Sequence, residues 1–304
     1  MENGSCTRSV FVSMVGKPNV GKSSIMNMLV NSKVSIVSPK PQTTRSRIRG
    51  IFTDKNIQIV FIDTPGLHKP WNRLDDYMNS EINNSFNGAE ACLHIVEPNR
   101  SGKLISEADL NLIKKFNKFK LEVILAINKI DTLKDKSEII KYMEKFSELF
   151  NYTAIIPVSA KTGEGKNELM EEIKKLARPS VFFFSEDDIT DQTERMLASE
   201  TIREKLLLFL DKELPHGTAV CIEYFKEKNH DTRNISATIY CERKSHKSMI
   251  IGSGGKMIKK IGIESRKSLE ELLGYKVNLN LFVKVKENWR DKESVLHSLG
   301  YTDS

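Results

Sequence analysis

Cysteine is scarce in this chain of 304 residues. Cys6, Cys92, Cys221 and Cys241 stand far apart with no Cys-x-x-Cys pair, which suits reduced thiols and argues against a disulfide framework or a thiolate zinc site. The six histidines show no metal-ligand spacing either. Met1 to Ser9 carries no apolar signal segment, and no apolar run approaches the roughly 18 residues of a membrane-spanning helix. Neither an internal repeat nor a low-complexity tract interrupts the chain. What is left is an ordinary globular composition, 39% hydrophobic and 29% charged, with length for about two domains. The charge is unbalanced: a formal net charge of +7 and a pI of 9.0 favour a polyanionic partner.

A glycine-bearing stretch, Gly16-Lys17-Pro18-Asn19-Val20-Gly21-Lys22-Ser23-Ser24, sits between an apolar run (Val10 to Val15) and a segment of helical apolar spacing (Ile25, Met26, Leu29, Val30). A strand-to-helix turn of this kind is a phosphate loop: its backbone N–H groups converge on the phosphates, and the helix terminus adds partial positive charge. Lys22 is expected to reach the β- and γ-phosphates and the Ser23 hydroxyl to ligate Mg²⁺. A second apolar run, Ile57 to Ile62, delivers Asp63-Thr64-Pro65-Gly66 to the carboxyl end of a strand, where open α/β sheets bind ligands. Asp63 is expected to hold Mg²⁺ through a water, and the Gly66 N–H to meet the γ-phosphate. A third run, Val123 to Ile127, leads into Asn128-Lys129-Ile130-Asp131. The Asp131 carboxylate can accept from guanine N1–H and its 2-amino group, a donor pair that adenine lacks, so this position selects GTP and GDP. Asn128 would brace the phosphate loop and the Lys129 stem cover the base. A fourth run, Ala154 to Val158, precedes Ser159-Ala160-Lys161, whose backbone can address guanine O6.

These motifs resemble the set found in translation-factor-related GTPases. By that resemblance Pro41-Gln42-Thr43-Thr44-Arg45 is the first switch, and either Thr44 or Thr43 supplies a second hydroxyl to Mg²⁺. Many GTPases orient the attacking water with a glutamine just after the second-switch glycine. Here Leu67 stands there and can form no side-chain hydrogen bond. The neighbouring His68 titrates near neutrality but reads first as a solvated loop residue. In related GTPases an asparagine at the place of Asn19 accompanies a K⁺ ion, so the resemblance implies slow, K⁺-assisted hydrolysis, with Lys22, Thr44, Gly66 and Asn19 as the catalytic set.

Strands alternate with helices from Val10 to about Ala177, the pattern of an α/β domain with a mainly parallel sheet. The expected division is a flexible end over 1–9, a GTPase domain over 10–178, a linker over 179–193 and a smaller α+β domain over 194–304. Phe182, Phe183 and Phe184 in the linker favour docking on a domain over serving as a base-stacking platform. The second domain reads as a helix over 194–214, strands over 218–224 and 235–241 around a polar loop (226–234), a basic turn, a helix over 265–273 and a strand over 276–286. Within it, Ile251-Gly252-Ser253-Gly254-Gly255, flanked by Lys247, Lys256, Lys259 and Lys260, matches the GXXG loop of type II KH domains, which clamps about four nucleotides of single strand. A basic residue is common where Ser253 stands, a departure that puts one phosphate contact in question but not the loop itself.

A GTPase domain followed by a KH domain resembles the Era family of bacterial GTPases, over nearly the whole chain. The likeness includes Asp63 to His68, Ser199-Glu200-Thr201-Ile202-Arg203-Glu204-Lys205, Val283 to Lys286, Trp289-Arg290 and Leu299-Gly300-Tyr301. It implies binding to the 3′ region of small-subunit (16S) ribosomal RNA, help in 30S subunit maturation, and a cytoplasmic monomer with peripheral contact to the inner face of the cell membrane. A constitutive RNA-binding module with nucleotide as a structural ligand is the competing reading; Lys22 and Thr44 argue against it.

Overall fold

The computed structural model describes residues 7–67, 69–98 and 104–301. Two sheets organise it, each the centre of a compact unit. The first sheet and its helices comprise β1 (Arg8–Val15), α1 (Lys22–Val30), β2 (Ile48–Asp54), β3 (Ile57–Asp63), α2 (Arg73–Asn87), β4 (Ala91–Val96), α3 (Glu107–Phe119), β5 (Glu122–Ile127), α4 (Glu138–Ser147), β6 (Ala154–Pro157), α5 (Lys166–Lys175) and β7 (Arg178–Pro179). Strand order is β2-β3-β1-β4-β5-β6, with β7 beside β1. The five strands from β3 to β6 run parallel, while β2 and β7 are antiparallel additions. Every residue of β3 and β4 is buried, as parallel strands covered on both faces must be. Ile25, Met26 and Leu29 of α1 pack on one face; Phe86, Leu112 and Phe116 of α2 and α3 pack on the other.

The units do not divide the chain linearly. The first holds 1–35, 44–69 and 78–191; the second holds Ile36–Thr43, Pro70–Tyr77 and Gln192–Ser304. Arg8 and Ser9, expected in a flexible end, already pair with Ile57 and Gln58. Arg178 and Pro179, expected as a boundary, form β7. The linker phenylalanines dock: the Phe183 ring meets Phe11 edge-on at 5.0 Å, and Gln58 Oε1 accepts the Phe183 and Phe184 N–H groups at 2.8 and 3.1 Å.

The second sheet belongs to α6 (Glu194–Phe209), β8 (Thr218–Asn229), β9 (Thr232–Cys241), α7 (Lys244–Ile251), α8 (Lys256–Leu273), β10 (Lys276–Val285) and α9 (Glu293–Ser298). Its order is β10-β9-β8, with β8 antiparallel and β10 parallel to β9. Ile202 and Leu206 of α6, Ile250 of α7, and Ile261 and Leu269 of α8 close over Ile235, Ala237 and Ile239. Helix α6 stops earlier than its apolar spacing suggests, because Leu210 turns extended (φ −99°, ψ 150°). The expected polar loop is mostly strand. Only His230 and Asp231 separate β8 from β9, since backbone pairing carries a hairpin past the core with no apolar face to betray it. The basic turn is α7, and α8 begins directly behind the glycine loop, at Lys256 rather than Ser265. Within this unit the buried Arg203 guanidinium pairs with Glu200 and donates to the Thr43 carbonyl, while a Glu204 carboxylate oxygen accepts the Val37 N–H at 3.2 Å.

Trp289 is fully buried, and its Nε1–H donates to the Gly217 carbonyl at 3.0 Å. Trp289→Phe leaves that carbonyl unpaired and is expected to destabilise the second unit by about 1–3 kcal/mol. Amide hydrogen exchange in β8 should accelerate accordingly; wild-type exchange there would contradict this role.

Candidate functional site

The glycine-bearing stretch occupies the turn from β1 to α1, with Gly21 as the helix N-cap. Lys22 lies beneath it, almost fully buried, its Nζ donating to the Gly16 and Lys17 carbonyls at 3.3 and 3.1 Å. Burial pushes its pKa down to about 8, against the charge of Asp63. Asp63 ends β3 and is fully buried. Its Oδ2 accepts from Ser23 Oγ at 2.6 Å, Ser35 Oγ at 3.0 Å and Thr44 Oγ1 at 3.1 Å. Burial raises its pKa even so, while Lys22 and the three hydroxyls pull the other way. Ser23 Oγ and Thr44 Oγ1 lie 3.0 Å apart. Thr43, the alternative, turns its hydroxyl to the Lys40 carbonyl at 2.7 Å, so Thr44 is the threonine that joins the cluster.

This cluster fits a nucleotide with a hard cation. Asp63 Oδ1 is buried without a hydrogen-bond partner, and burial disfavours the charge on both Asp63 and Lys22. A dication beside Asp63 and phosphates beside Lys22 would favour both charged forms. Hydroxyl and carboxylate oxygens suit Mg²⁺, and among the described residues no three His, Cys, Asp or Glu side chains cluster as they do around softer metals.

The second-switch motif lies against the phosphate loop. Thr64 Oγ1 donates to the Met14 carbonyl at 2.8 Å, and after Pro65 comes Gly66, where an added Cβ would fall 2.7 Å from Pro18 Cα. Only glycine permits that approach. The Leu67 N–H points to the Gly16 carbonyl at 3.4 Å, and its half-buried side chain packs against the apolar cluster that contains Val15, Ile82 and Phe86. His68 lies outside the described residues. Asn19 adopts a left-handed conformation (φ 65°), and its carbonyl accepts from Lys129 Nζ at 2.6 Å.

At the base end, buried Asn128 acts as a tie: its Nδ2 donates to the Val20 carbonyl at 2.7 Å and its Oδ1 accepts the Ala160 N–H at 3.1 Å. Lys129 Nζ also pairs with Glu97 at 2.5 Å. Asp131 Oδ1 accepts from Ser159 Oγ at 2.7 Å, which orients the carboxylate, and Lys161 is exposed on the same loop. Sequence reasoning missed Ser35, Glu97 and Asp109, whose Oδ2 lies 3.9 Å from Lys17 Nζ. Ser35 and Glu97 are isolated polar residues with no motif around them, while Asp109 belongs to a Ser106-x-x-Asp109 capping box that signals a helix start and not a site; only the fold brings them in.

In the second unit α7 ends at Ile251, Gly252 to Gly255 form the loop, and α8 starts at Lys256. Gly254 (φ 58°) and Gly255 (φ 75°) sit in the left-handed region, which glycine occupies at no steric cost. Ser253, Gly254, Lys256 and Lys259 are exposed, whereas Lys247 and Ile251 are half-buried. A groove of about 640 Å³ runs along α8 and β10, lined by Lys259, Arg266, Asn234, Asn278 and Asn280 over an apolar floor including Ile258 and Leu281. Lys260 departs from expectation: its ammonium lies 4.3 Å from the centre of the Phe209 ring on α6, and it does not line the groove. The three asparagines escaped notice because amides on a strand read only as solvated polar positions.

Two family models match the chain: one described as a 50S ribosome-binding GTPase over residues 11–129, and one described as a KH domain over residues 213–290. GTPase Era of Caldicellulosiruptor saccharolyticus is 46% identical over 296 residues, covering 97% of each chain. GTPase Era of Ruminiclostridium cellulolyticum is 43% identical over 294 residues, again covering 97% of each. Two solved structures each superpose with a TM-score of 0.93 at 34% identity, covering 98% of this chain and 100% of theirs: a variant of Aquifex aeolicus Era bound to GDP·AlF4⁻, and Era in complex with MgGDPNP and nucleotides 1506–1542 of 16S ribosomal RNA.

Asn128→Ala removes both ends of the buried tie. The ligand-free protein is expected to lose about 2–4 kcal/mol of stability, the cost of stranding the Val20 carbonyl and the Ala160 N–H. Denaturant unfolding without nucleotide checks this; unchanged stability would assign Asn128 to ligand contact alone.

Proposed function

This chain belongs to the Era family of GTPases, and from that premise we propose that it is a GTP-controlled switch that binds the 3′ region of small-subunit ribosomal RNA and assists 30S subunit assembly. The observation that carries the nucleotide half is the convergence of Ser23, Thr44 and Asp63 on one another beside Lys22. The RNA half rests on the glycine loop leading into the α8–β10 groove, and on the complex of a relative with 16S RNA. The likeness to ribosome-binding GTPases of the large subunit is confined to residues 11–129; the likeness to the RNA-bound relative extends over both units and weighs more.

In the proposed mechanism the backbone from Gly16 to Ser24 cradles the phosphates and Lys22 supplies a point charge to the terminal ones. Ser23 and Thr44 offer hydroxyls to Mg²⁺, and Asp63 binds its shell. Bound Mg²⁺ would neutralise charge on the phosphate oxygens as the terminal bond breaks. The Gly66 N–H meets the γ-phosphate, Asp131 selects guanine, and Ser159, Ala160 and Lys161 close the base end. With Leu67 packed away, no residue at that position orients water, so intrinsic turnover is slow. Asn19 marks the place where K⁺ would add the missing positive charge.

The switch can reach the RNA unit through the chain itself. Thr43 belongs to the second unit, held by Arg203, and Thr44 belongs to the first. If nucleotide state changes RNA affinity, then by reciprocity RNA binding must alter nucleotide affinity by the same factor. Among the described residues no helix is long and apolar enough to cross a membrane. A cytoplasmic location, a monomeric state and peripheral membrane contact complete the proposal on family likeness alone.

Crosslinking to total RNA tests the reading: the 16S 3′ end should be enriched with a non-hydrolysable GTP analogue and not with GDP. Asp131→Asn should lose that response to guanine nucleotides and recover it with xanthine nucleotides, whose second carbonyl pairs with an amide donor. Equal enrichment in all nucleotide states would favour a constitutive RNA-binding module. Hydrolysis should also run faster in K⁺ than in Na⁺; equal rates would remove Asn19 from the catalytic set.

A further inference from the structure

Helices α6, α7 and α8 cover one face of the second sheet, and the other face carries an aromatic and basic surface that the proposed RNA site does not use. Along β10 the side chains alternate: Val277, Leu279, Leu281 and Val283 turn to the core, while Phe282 and Lys284 stand exposed. The cross-strand register continues this outer face onto the neighbouring strands. Phe282 is paired with Thr238, and Lys284 with Tyr240 on β9; Tyr224 on β8 lies opposite Ser236, one alternation further along. Phe282 is 55% exposed and Tyr224 42%. Lysines flank the rings, with Lys286 Nζ 5.2 Å from the centre of Tyr240 and Lys226 Nζ 5.7 Å from that of Tyr224. Tyr240 is half-buried, and its hydroxyl donates to Glu223, which a bulge in β8 sets out, at 3.4 Å.

A single exposed phenylalanine on a sheet is unremarkable. Three rings framed by three lysines on one face form a different surface. Base faces stack on aromatic side chains without regard to sequence, and lysines beside them neutralise phosphates, as on other sheet platforms that bind single-stranded RNA. The surface is also continuous with the groove. Strand β10 is the sheet edge, and Asn280, which lines the groove, is followed two residues on by Phe282, about 7 Å further along the strand.

We propose that the outer face of the β8–β9–β10 sheet is a second RNA-binding surface, on which single-stranded RNA leaving the α8–β10 groove crosses the β10 edge, stacks bases on Phe282 and Tyr240, and sets phosphates against Lys226, Lys284 and Lys286. The proposal rests on the RNA-binding reading of the groove and extends it from about four nucleotides to a longer single strand.

The test uses the full chain, a single-stranded RNA of about 5 nucleotides sized to the glycine loop and a longer one of about 20 nucleotides drawn from the 16S 3′ end, which would also reach the outer face. Phe282→Ala should weaken binding of the longer RNA at least about fivefold and leave the shorter unchanged. Lys284→Ala with Lys286→Ala should lower the salt dependence of the longer complex by about 1.4 in log–log slope. Ultraviolet crosslinking of wild-type protein to the longer RNA should map to Phe282 or Tyr240. Wild-type affinity and salt slope in these variants, with no crosslink on the face, would overturn the proposal; so would a defect in Phe282→Ala for ribosomal particles but not for naked RNA, which would make the face a protein contact. Gly254→Asp separates the two readings. If it abolishes binding of both RNAs while Phe282→Ala is silent, the groove stands and the outer face falls; if it binds like wild type, the groove reading fails and the outer-face proposal fails with it.

Discussion

A carboxylate buried at the end of an apolar strand is tolerated only when donors surround it, and much of the first unit can be derived from meeting that demand at Asp63. Asp63 is placed by register, beside Met14 on one side and Ile48 on the other. Its donors arrive from three separate stretches of chain: Ser23 from the phosphate loop, Ser35 from the segment behind α1, and Thr44 from the segment before β2. Ser23 stands in the first turn of α1, whereas Ser35 and Thr44 lie outside helices and strands and are positioned in part by the same carboxylate. Lys22 answers Asp63 from beneath the loop, yet burial still works against both charges. The site is thus organised around a strained electrostatic arrangement that the right ligand relieves.

The second unit depends on backbone pairing more than on charge. Ten consecutive residues of β10 run parallel to β9, and that ladder carries the chain from the glycine loop's helix to a sheet edge where amides, an exposed ring and lysines follow one another. Because β10 has one free edge, its residues serve the groove beside α8 and the outer face at once.

Much of the site was legible because its chemistry is contiguous in sequence. A phosphate loop must keep its glycines and lysine at fixed spacing, and Asp63, Asn128 and Asp131 each follow an apolar run that announces a strand. The first helix, the three strands and the later part of α8 in the second unit were readable from the same periodicities, whereas α7 read only as a basic turn. What stayed hidden obeys other rules. The outer halves of β8 and β9 are polar on both faces, so no alternation marks them, and the first turns of α8 follow directly on the glycine loop and contain Gly262, which hides the helical spacing of Met257, Ile258 and Ile261. Ser35 is an isolated polar residue, and Asp109 marks only a helix start in the sequence; the importance of both comes from where the backbone carries them. Lys260, one position after Lys259, points around the helix to Phe209, since neighbours on a helix do not share a face, and spacing along the sequence alone did not separate the two.

The passage from Thr43 to Thr44 is a single trans peptide, which fixes two α-carbons about 3.8 Å apart. The carbonyl that accepts from Arg203 and the hydroxyl that donates to Asp63 therefore belong to adjacent residues, so two attachments meet on one short stretch of chain with no spacer between them.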